Sequence, residues 1–309
     1  MVKPALLEVA AAVIERADGA FLLAQRPAGK VYAGWWEFPG GKMHDGEAAE
    51  AALARELHEE LGIDVRRAYP WVTRVHAYEH ATVRLNFFRV AEWSGEPHPR
   101  EQQAIRWQRL EQPMAEPMLA ANAPVLAALA LPLEYAITDA QRYGTHAMLQ
   151  HLERRLRQGL KLVRVREPEM PPAELAAFSA RVCELAAGAG ARVTVKSGFT
   201  LAAAAGLHYT ARELMALAAR ARRLCGASVH TRAELEHAMR LELDFAVLGP
   251  VKATPTHPGA ATLGWDGFAA LARGASIPLY AIGGLRREDL HDARRAGAHG
   301  LAMIRGSWK

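Results

Sequence analysis

The sequence predicts two domains, an α+β sandwich followed by a parallel (β/α)8 barrel. Three observations carry this. The 309 residues are about twice a typical domain of roughly 150. The charge changes sense near residue 132: residues 1–131 hold 14 Lys+Arg and 17 Asp+Glu, and the rest hold 24 and 16. The hydrophobic rhythm changes at the same place. In the first part, 5–14, 20–24, 72–77 and 82–90 read as strands, and 82–90 (TVRLNFFRV) alternates as a half-buried strand should. Helices are expected over 47–61 and 120–130, the first stopped by Gly62.

After Pro132, short β-type runs at 134–138, 162–165, 192–195, 206–209, 226–230, 244–248, 278–282 and 299–304 alternate with longer segments. Most of these, 145–158, 172–187, 211–222, 231–240, 265–273 and 286–296, are rich in Ala, Leu and Arg and read as helices. Eight strands with helical connections define a closed parallel barrel. The expected domains are therefore 1–131 and 132–309, with little room for a helix after the eighth strand.

Composition excludes several classes. Half the residues are hydrophobic and 23% are charged, which argues against disorder. The longest apolar stretch, Ala123 to Leu133, is far short of the roughly 20 residues that span a bilayer. Lys3 and Glu8 in the first apolar run argue against a signal peptide, so no membrane association is expected. Cys183 and Cys225 have no metal-ligand spacing, and a reduced cytoplasmic compartment is the economical expectation. The net charge of +5 invites a nucleic-acid partner. The basic residues are nonetheless scattered without interleaved aromatics, and no direct nucleic-acid binding is expected.

The chemistry-bearing segment is 41–63, GKMHDGEAAEAALARELHEELGI. On a helix Glu56, Glu59 and Glu60 stand at i, i+3 and i+4, within an arc of about 100°, with Leu57 and Leu61 turned to the core. Three carboxylates on one arc repel each other unless a cation neutralises them. Their hard oxygens suit Mg2+ or Mn2+, which in turn hold substrate phosphates. Arg55 is suited to orient a glutamate through a bidentate bond.

Written G-x5-E-x7-R-E-U-x-E-E-x-G-U, with U an aliphatic residue, this segment resembles the Nudix box at every specified position: Gly41, Glu47, Arg55, Glu56, Leu57, Glu59, Glu60, Gly62 and Ile63. The resemblance implies an α/β/α sandwich that hydrolyses nucleoside diphosphate derivatives with a divalent metal. It implies Glu56, Glu59 and Glu60 as metal ligands, with the carbonyl of Gly40, and Arg55 in the catalytic set. Leu22 to Arg26 (LLAQR), Trp36 to Lys42 (WEFPGGK) and 119–129 (LAANAPVLAAL) are similar to the MutT branch, the 8-oxo-dGTP diphosphatases. That likeness implies Asn122 on the oxidised purine, Phe38 against the base, Arg26 on the nucleotide, and Glu101 assisting the metal or the attacking water. The implied substrate is a nucleoside triphosphate, cleaved to a monophosphate and pyrophosphate. The chemistry is coherent, since an Asn offers an acceptor and two donors to a purine edge and an aromatic offers a stacking face.

Residues 134–308 resemble the thiamine phosphate synthase and TenI group of TIM barrels. The carriers are Tyr135 to Asp139, Val163 to Glu167, Gly226 to His230, Asp244 to Pro250, Thr254 to Thr256 and Ala281 to Leu285. Gly283-Gly284 follows a late strand, where barrel loops bind phosphate through backbone amides, so a phosphorylated small molecule is a candidate ligand. The chain departs from the synthase pattern at Pro168, at Lys196-Ser197, at Glu213 and at His257, where the synthase has a lysine, an Asn-Asp pair, an aspartate and a lysine. Those departures remove metal ligands and phosphate clamp, which implies lost synthase activity. TenI-like tautomerases work without metal and move a proton on histidine, a role that falls on His230. Two readings stay open for the whole chain: a nucleotide-pool sanitising enzyme with an appended barrel, and a thiamine-metabolism protein whose first domain hydrolyses a related pyrophosphate.

Overall fold

The computed structural model describes residues 6–79, 81–199, 201–254, 259 and 261–308, and the chain splits into two compact units, Met1–Ala130 and Leu131–Lys309. The first unit runs β1 (Leu6–Ile14), β2 (Phe21–Gln25), β3 (Trp36–Glu37), β4 (Gly40–Lys42), α1 (Ala49–Leu61), β5 (Asp64–Ala77), β6 (Thr82–Ser94), β7 (Ile105–Gln108), a 3-10 turn (Ala120–Asn122) and α2 (Ala123–Leu129). Its strands form a mixed sheet, β4-β1-β6-β5, and a smaller one, β3-β2-β7. β1 lies parallel to β6 in register from Leu6–Thr82 to Ile14–Val90, and antiparallel to β4.

The alternation along β1 builds the layers. Ala10, Ala12 and Ile14 pack with Leu53, Leu57 and Leu61 of α1. Ala11 and Val13 point the other way, into a cluster with Phe38, Phe87 and Val125 of α2. One sheet covered on both faces by helices is the expected α/β/α arrangement.

The second unit is a closed, all-parallel barrel as predicted. β8 (Glu134–Ile137), β9 (Leu162–Arg164), β10 (Arg192–Lys196), β11 (Gly206–Tyr209), β12 (Leu224–Val229), β13 (Phe245–Leu248), β14 (Leu279–Ala281) and β15 (Gly300–Met303) follow one another around the barrel, and β15 pairs with β8. The connecting helices are α3 (Ala140–Tyr143), α4 (Thr145–Arg157), α5 (Pro172–Gly188), α6 (Ala211–Met215), α7 (Arg232–Arg240), α8 (Gly264–Ala272) and α9 (Leu290–Arg295). The helix expected over 211–222 stops at Met215, because Arg220 turns away to the carbonyls of Glu242 and Arg223 and to Asp244. After β15 there is a single 3-10 turn, Arg305–Ser307, and then Trp308. The Trp308 indole is 1% exposed, joins the core of Met148 and Leu152, and donates from Nε1 to the Ile137 carbonyl at 2.8 Å.

Inside the barrel Tyr135, Phe245 and Tyr280 pack ring against ring. A polar chain crosses this interior: the Tyr135 hydroxyl lies 2.6 Å from Thr194 Oγ1 and 3.0 Å from His208 Nδ1, and His208 Nε2 lies 2.9 Å from Ser228 Oγ. Among the described residues, no helix is long and apolar enough to cross a membrane.

Two outcomes follow. Trp308→Ala removes a fully buried ring and its hydrogen bond, and is expected to lower barrel stability by about 3–5 kcal/mol in urea unfolding. Burial, with Arg164 and Arg166 nearby, depresses the His208 imidazole well below its usual range. Its folded value lies under its unfolded one, so its contribution to stability is intact above about pH 6.5 and lost as pH falls below that. NMR of the imidazole nitrogens is expected to show a neutral ring throughout pH 8 to 6. A His208 that titrates normally near 6.5 contradicts this.

Candidate functional site

The first unit holds a cavity of about 640 Å³. Its lining includes Gly40, Gly41, Glu56, Glu60, Lys30 and Glu101, together with Arg26, Glu37, Phe38, Tyr78 and Asn122. α1 supplies the carboxylates because its buried stripe of Ala52, Leu53, Leu57 and Leu61 fixes its rotation, and Gly62 caps its last turn in a left-handed conformation.

Arg55 organises the carboxylates of α1. Its Nε and Nη2 donate to the two oxygens of Glu47 at 3.0 and 2.9 Å, Nη2 also to the Lys42 carbonyl at 3.0 Å, and Nη1 to Glu56 at 2.8 Å and Glu59 at 3.3 Å. These bonds tie the loop before α1 to the helix. The Arg55 hydrogen bonds, with the His44 amide, hold the Glu47 carboxyl down to about 2. Gly41 is a close approach: a Cβ there would stand 2.2 Å from the Glu56 carboxylate, which would have to move aside.

The three glutamates do not share one environment. Glu56 and Glu60 line the cavity, whereas Glu59 is exposed and leans on Arg55. From Glu56, Glu60 turns about 40° and Glu59 about 60° the other way, toward solvent. Burial, reinforced by Glu101 and Glu56 against the opposing pull of Lys30, pushes the Glu60 carboxyl up to about 7. The Gly40 amide donates to Glu60 at 3.4 Å. Gln103 braces the cluster, accepting from the Glu101 amide at 2.8 Å and donating to the Glu60 carbonyl at 3.1 Å.

A divalent ion can be tested against this set. Among the described residues no three Asp, Glu, His or Cys side chains converge tightly enough to hold a metal. Glu56 is drawn to Arg55 and Glu101 to Lys30, the latter at 3.0 Å. The donors are nevertheless all hard oxygens, and Glu56, Glu60, Glu101 and the Gly40 backbone line one cavity. The residues fit such an ion.

Asn122 is 4% exposed and donates to the Trp36 carbonyl at 3.4 Å. Phe38 is also buried, its ring 5.8 Å from both Phe21 and Phe87 while it still lines the cavity. Arg26 is engaged: Nη1 donates to both Glu37 oxygens at 2.8 Å, and Nε to the Val31 carbonyl at 2.7 Å. Burial nonetheless raises the Glu37 carboxyl. Lys30, Tyr32, Glu37, Tyr78 and Gln103 line the site without having been singled out from the sequence. Glu37, inside WEFPGGK, was the one within reach of motif reading; the others sit where no periodicity points.

The barrel has a second cavity, of about 580 Å³, lined by Arg164, Arg166, Ser228, His230, Gly283, Gly284 and Arg305 among others. His230 Nδ1 lies 2.7 Å from the Gly249 carbonyl, an acceptor only, so Nδ1 carries the proton and the neutral ring keeps its lone pair on Nε2. Gly283 has φ +107°, and a Cβ there would stand 2.6 Å from Pro250. Glu213 is used by its own helix: it accepts from the Thr210 amide at 2.8 Å in a capping box. Lys196 is exposed, and His257 lies outside the described residues.

This geometry is that of a Nudix hydrolase joined to a TIM barrel of the thiamine phosphate synthase kind, and the chain belongs to both families. A NUDIX domain model matches residues 10–128, and a thiamine monophosphate synthase (TMP-TENI) model matches residues 134–306. Among similar proteins, the CTP pyrophosphohydrolase of Escherichia coli is 39% identical over 40% of this chain and 90% of its own length. The 8-oxo-dGTP diphosphatase of Proteus vulgaris is 44% identical over 29% of this chain and 80% of its own. The thiamine-phosphate synthase of Chloroflexus aurantiacus is 31% identical over 55% and 82%.

Proposed function

We propose that the first domain hydrolyses a nucleoside triphosphate to its monophosphate and pyrophosphate, with an oxidised purine, 8-oxo-dGTP, as the favoured substrate. The observation that carries this is a single cavity lined both by a buried amide, Asn122, with the Phe38 ring, and by the carboxylates Glu56 and Glu60 with Gly40. An amide and a ring suit a base, and carboxylates that hold a cation suit a triphosphate. Two of the similar proteins cleave nucleotides, and the Asn at 122 with the WEFPGGK segment supports the purine over the pyrimidine.

Glu56, Glu60 and the Gly40 carbonyl would hold Mg2+ or Mn2+, with Glu59 and Glu101 completing the set as side chains swing in from Arg55 and Lys30. Such an ion supplies charge neutralisation of the phosphoryl oxygens. The chain's own residues do the rest. Asn122 reads the base edge, Phe38 gives it an apolar wall, and Arg26, held by Glu37, borders the nucleotide. Arg55 keeps the carboxylates aligned, and Glu101 takes the proton as the water oxygen bonds to phosphorus and the α–β anhydride bond breaks.

A second reading concerns the barrel, and the match to the thiamine monophosphate synthase model favours it. There Gly283 and Gly284 hold a phosphorylated small molecule, and His230, with its Nε2 lone pair, moves a proton. In this reading the first domain hydrolyses a thiamine-related pyrophosphate.

Glu56→Gln is expected to lower kcat for nucleotide hydrolysis by roughly 100-fold or more, measured as pyrophosphate release. Asn122→Ala is expected to shrink the preference for 8-oxo-dGTP over dGTP about 10-fold in kcat/KM. An unchanged ratio removes the purine-reading role. A screen in which hydroxymethylpyrimidine or thiamine diphosphate outruns every nucleotide favours the second reading instead.

A further inference from the structure

The loop between β2 and β3 is tied at both ends and in its middle. The Arg26 amide donates to the Trp35 carbonyl at 2.8 Å, and the Gly34 amide returns to the Arg26 carbonyl at 2.9 Å. Gln25 Nε2 donates to the Gly34 carbonyl and Arg26 Nε to the Val31 carbonyl, both at 2.7 Å. Lys30 therefore has a fixed root, while its flexible four-carbon stem is half-exposed and can turn.

Three cations line the first cavity among the described residues: Arg26, Lys30 and Lys42. Arg26 is engaged by Glu37 and Val31, and Lys42 is exposed at the end of β4. Lys30 is the one paired with a carboxylate of the candidate metal set, its Nζ 3.0 Å from Glu101 Oε2. It acts on Glu60 too: burial is the largest influence on that carboxyl and raises it, and the Lys30 ammonium comes next and pulls it down.

An ion pair between two half-exposed side chains is weak and easily exchanged. Glu101 and Glu60 are also hard oxygen donors of the kind a dication takes. An ammonium and a dication on one carboxylate repel each other, and the doubly charged ion holds it more strongly. Lys30 is then left charged in the same cavity, without its carboxylate and with its root unable to withdraw. The anion within its reach is the substrate's phosphate chain.

We propose that Lys30 changes partners: it neutralises Glu101 before a divalent ion binds, yields that carboxylate to the ion, and then binds the pyrophosphate portion of the nucleotide. That portion carries most of the triphosphate's charge, and the proposal rests on the triphosphate reading of the cavity given above. Water bonds to the α-phosphorus, its proton goes to Glu101, and the α–β anhydride bond breaks with its electron pair on the departing pyrophosphate oxygen. Lys30 stays protonated and meets that charge.

The test is calorimetry on the full chain with Lys30→Met and Lys30→Arg. Mn2+ titrated without nucleotide is expected to bind Lys30→Met about 3-fold tighter than wild type, because the competing ammonium has gone. In excess Mg2+, pyrophosphate is expected to bind Lys30→Met about 10-fold more weakly, with dGMP affinity changed less than about 2-fold. Lys30→Arg, which keeps the charge, is expected to restore both. A lysine that only shaped its loop would not shift cation and anion affinity in opposite directions. The proposal is overturned if Mn2+ binds Lys30→Met no tighter, or if pyrophosphate fails to bind wild type or binds the variant equally well. It is also overturned if dGMP weakens as much as pyrophosphate, or if Lys30→Arg behaves as Lys30→Met. A wild type that cleaves no nucleoside triphosphate sinks the hydrolase reading instead, and the two titrations still decide the role of Lys30.

Discussion

The hydrolase site hangs on one guanidinium. Arg55 touches both the loop before α1 and, on the helix itself, Glu56 and Glu59, through Glu47, the Lys42 carbonyl and those two carboxylates. Its bidentate grip on Glu47 fixes a geometry that a lysine could not reproduce. With it in place, the Gly40–Gly41 backbone passes within contact of Glu56, and the cavity floor is set. The apolar half of α1 explains why the carboxylates can be crowded at all. Leu53, Leu57 and Leu61 are fully buried against β1, so the helix cannot rotate to relieve the repulsion. Burial first, and the neighbouring Glu101 and Glu56 after it, raise the Glu60 carboxyl in that fixed position.

Much of this was written in the sequence because helices and parallel barrels are periodic. The apolar spacing of α1 and its Gly62 stop placed the carboxylate arc, and eight β-type runs with intervening helices announced the closed barrel. What periodicity could not reach was pairing over distance. β3, β4 and β7 are two to four residues long and exist only because β1 and β2 offer them edges. β5 runs back to Asp64, and its pairing with β6 carries register shifts that blur any alternation. The early end of α6 is likewise a tertiary effect, made by the long-range bonds of Arg220.

Side-chain direction was half legible. Helical spacing put Glu56, Glu59 and Glu60 on one arc, but an arc does not say which edge is wet, and Glu59 fell on the solvent edge. The Arg26–Glu37 and Lys30–Glu101 pairs join residues 11 and 71 positions apart, through a loop with no repeating pattern, so neither could be seen before the fold was known. In the barrel the reverse holds. Arg164 sits inside a short β-run where alternation predicts an apolar partner, and its oddness is visible only once its burial is.

The two cavities are opposite in electrical logic, and the uneven charge of the chain follows from that. The hydrolase site gathers the carboxylates of Glu56, Glu60 and Glu101 beside Lys30, a donor set suited to a hard cation. The barrel site builds its positive charge from arginine and can meet an anion unaided. An arginine site has no cation to lose to a chelator, and its guanidinium stays charged at any physiological pH even where burial brings it down to about 10. The whole-chain balance of +5 averages these two solutions and describes neither.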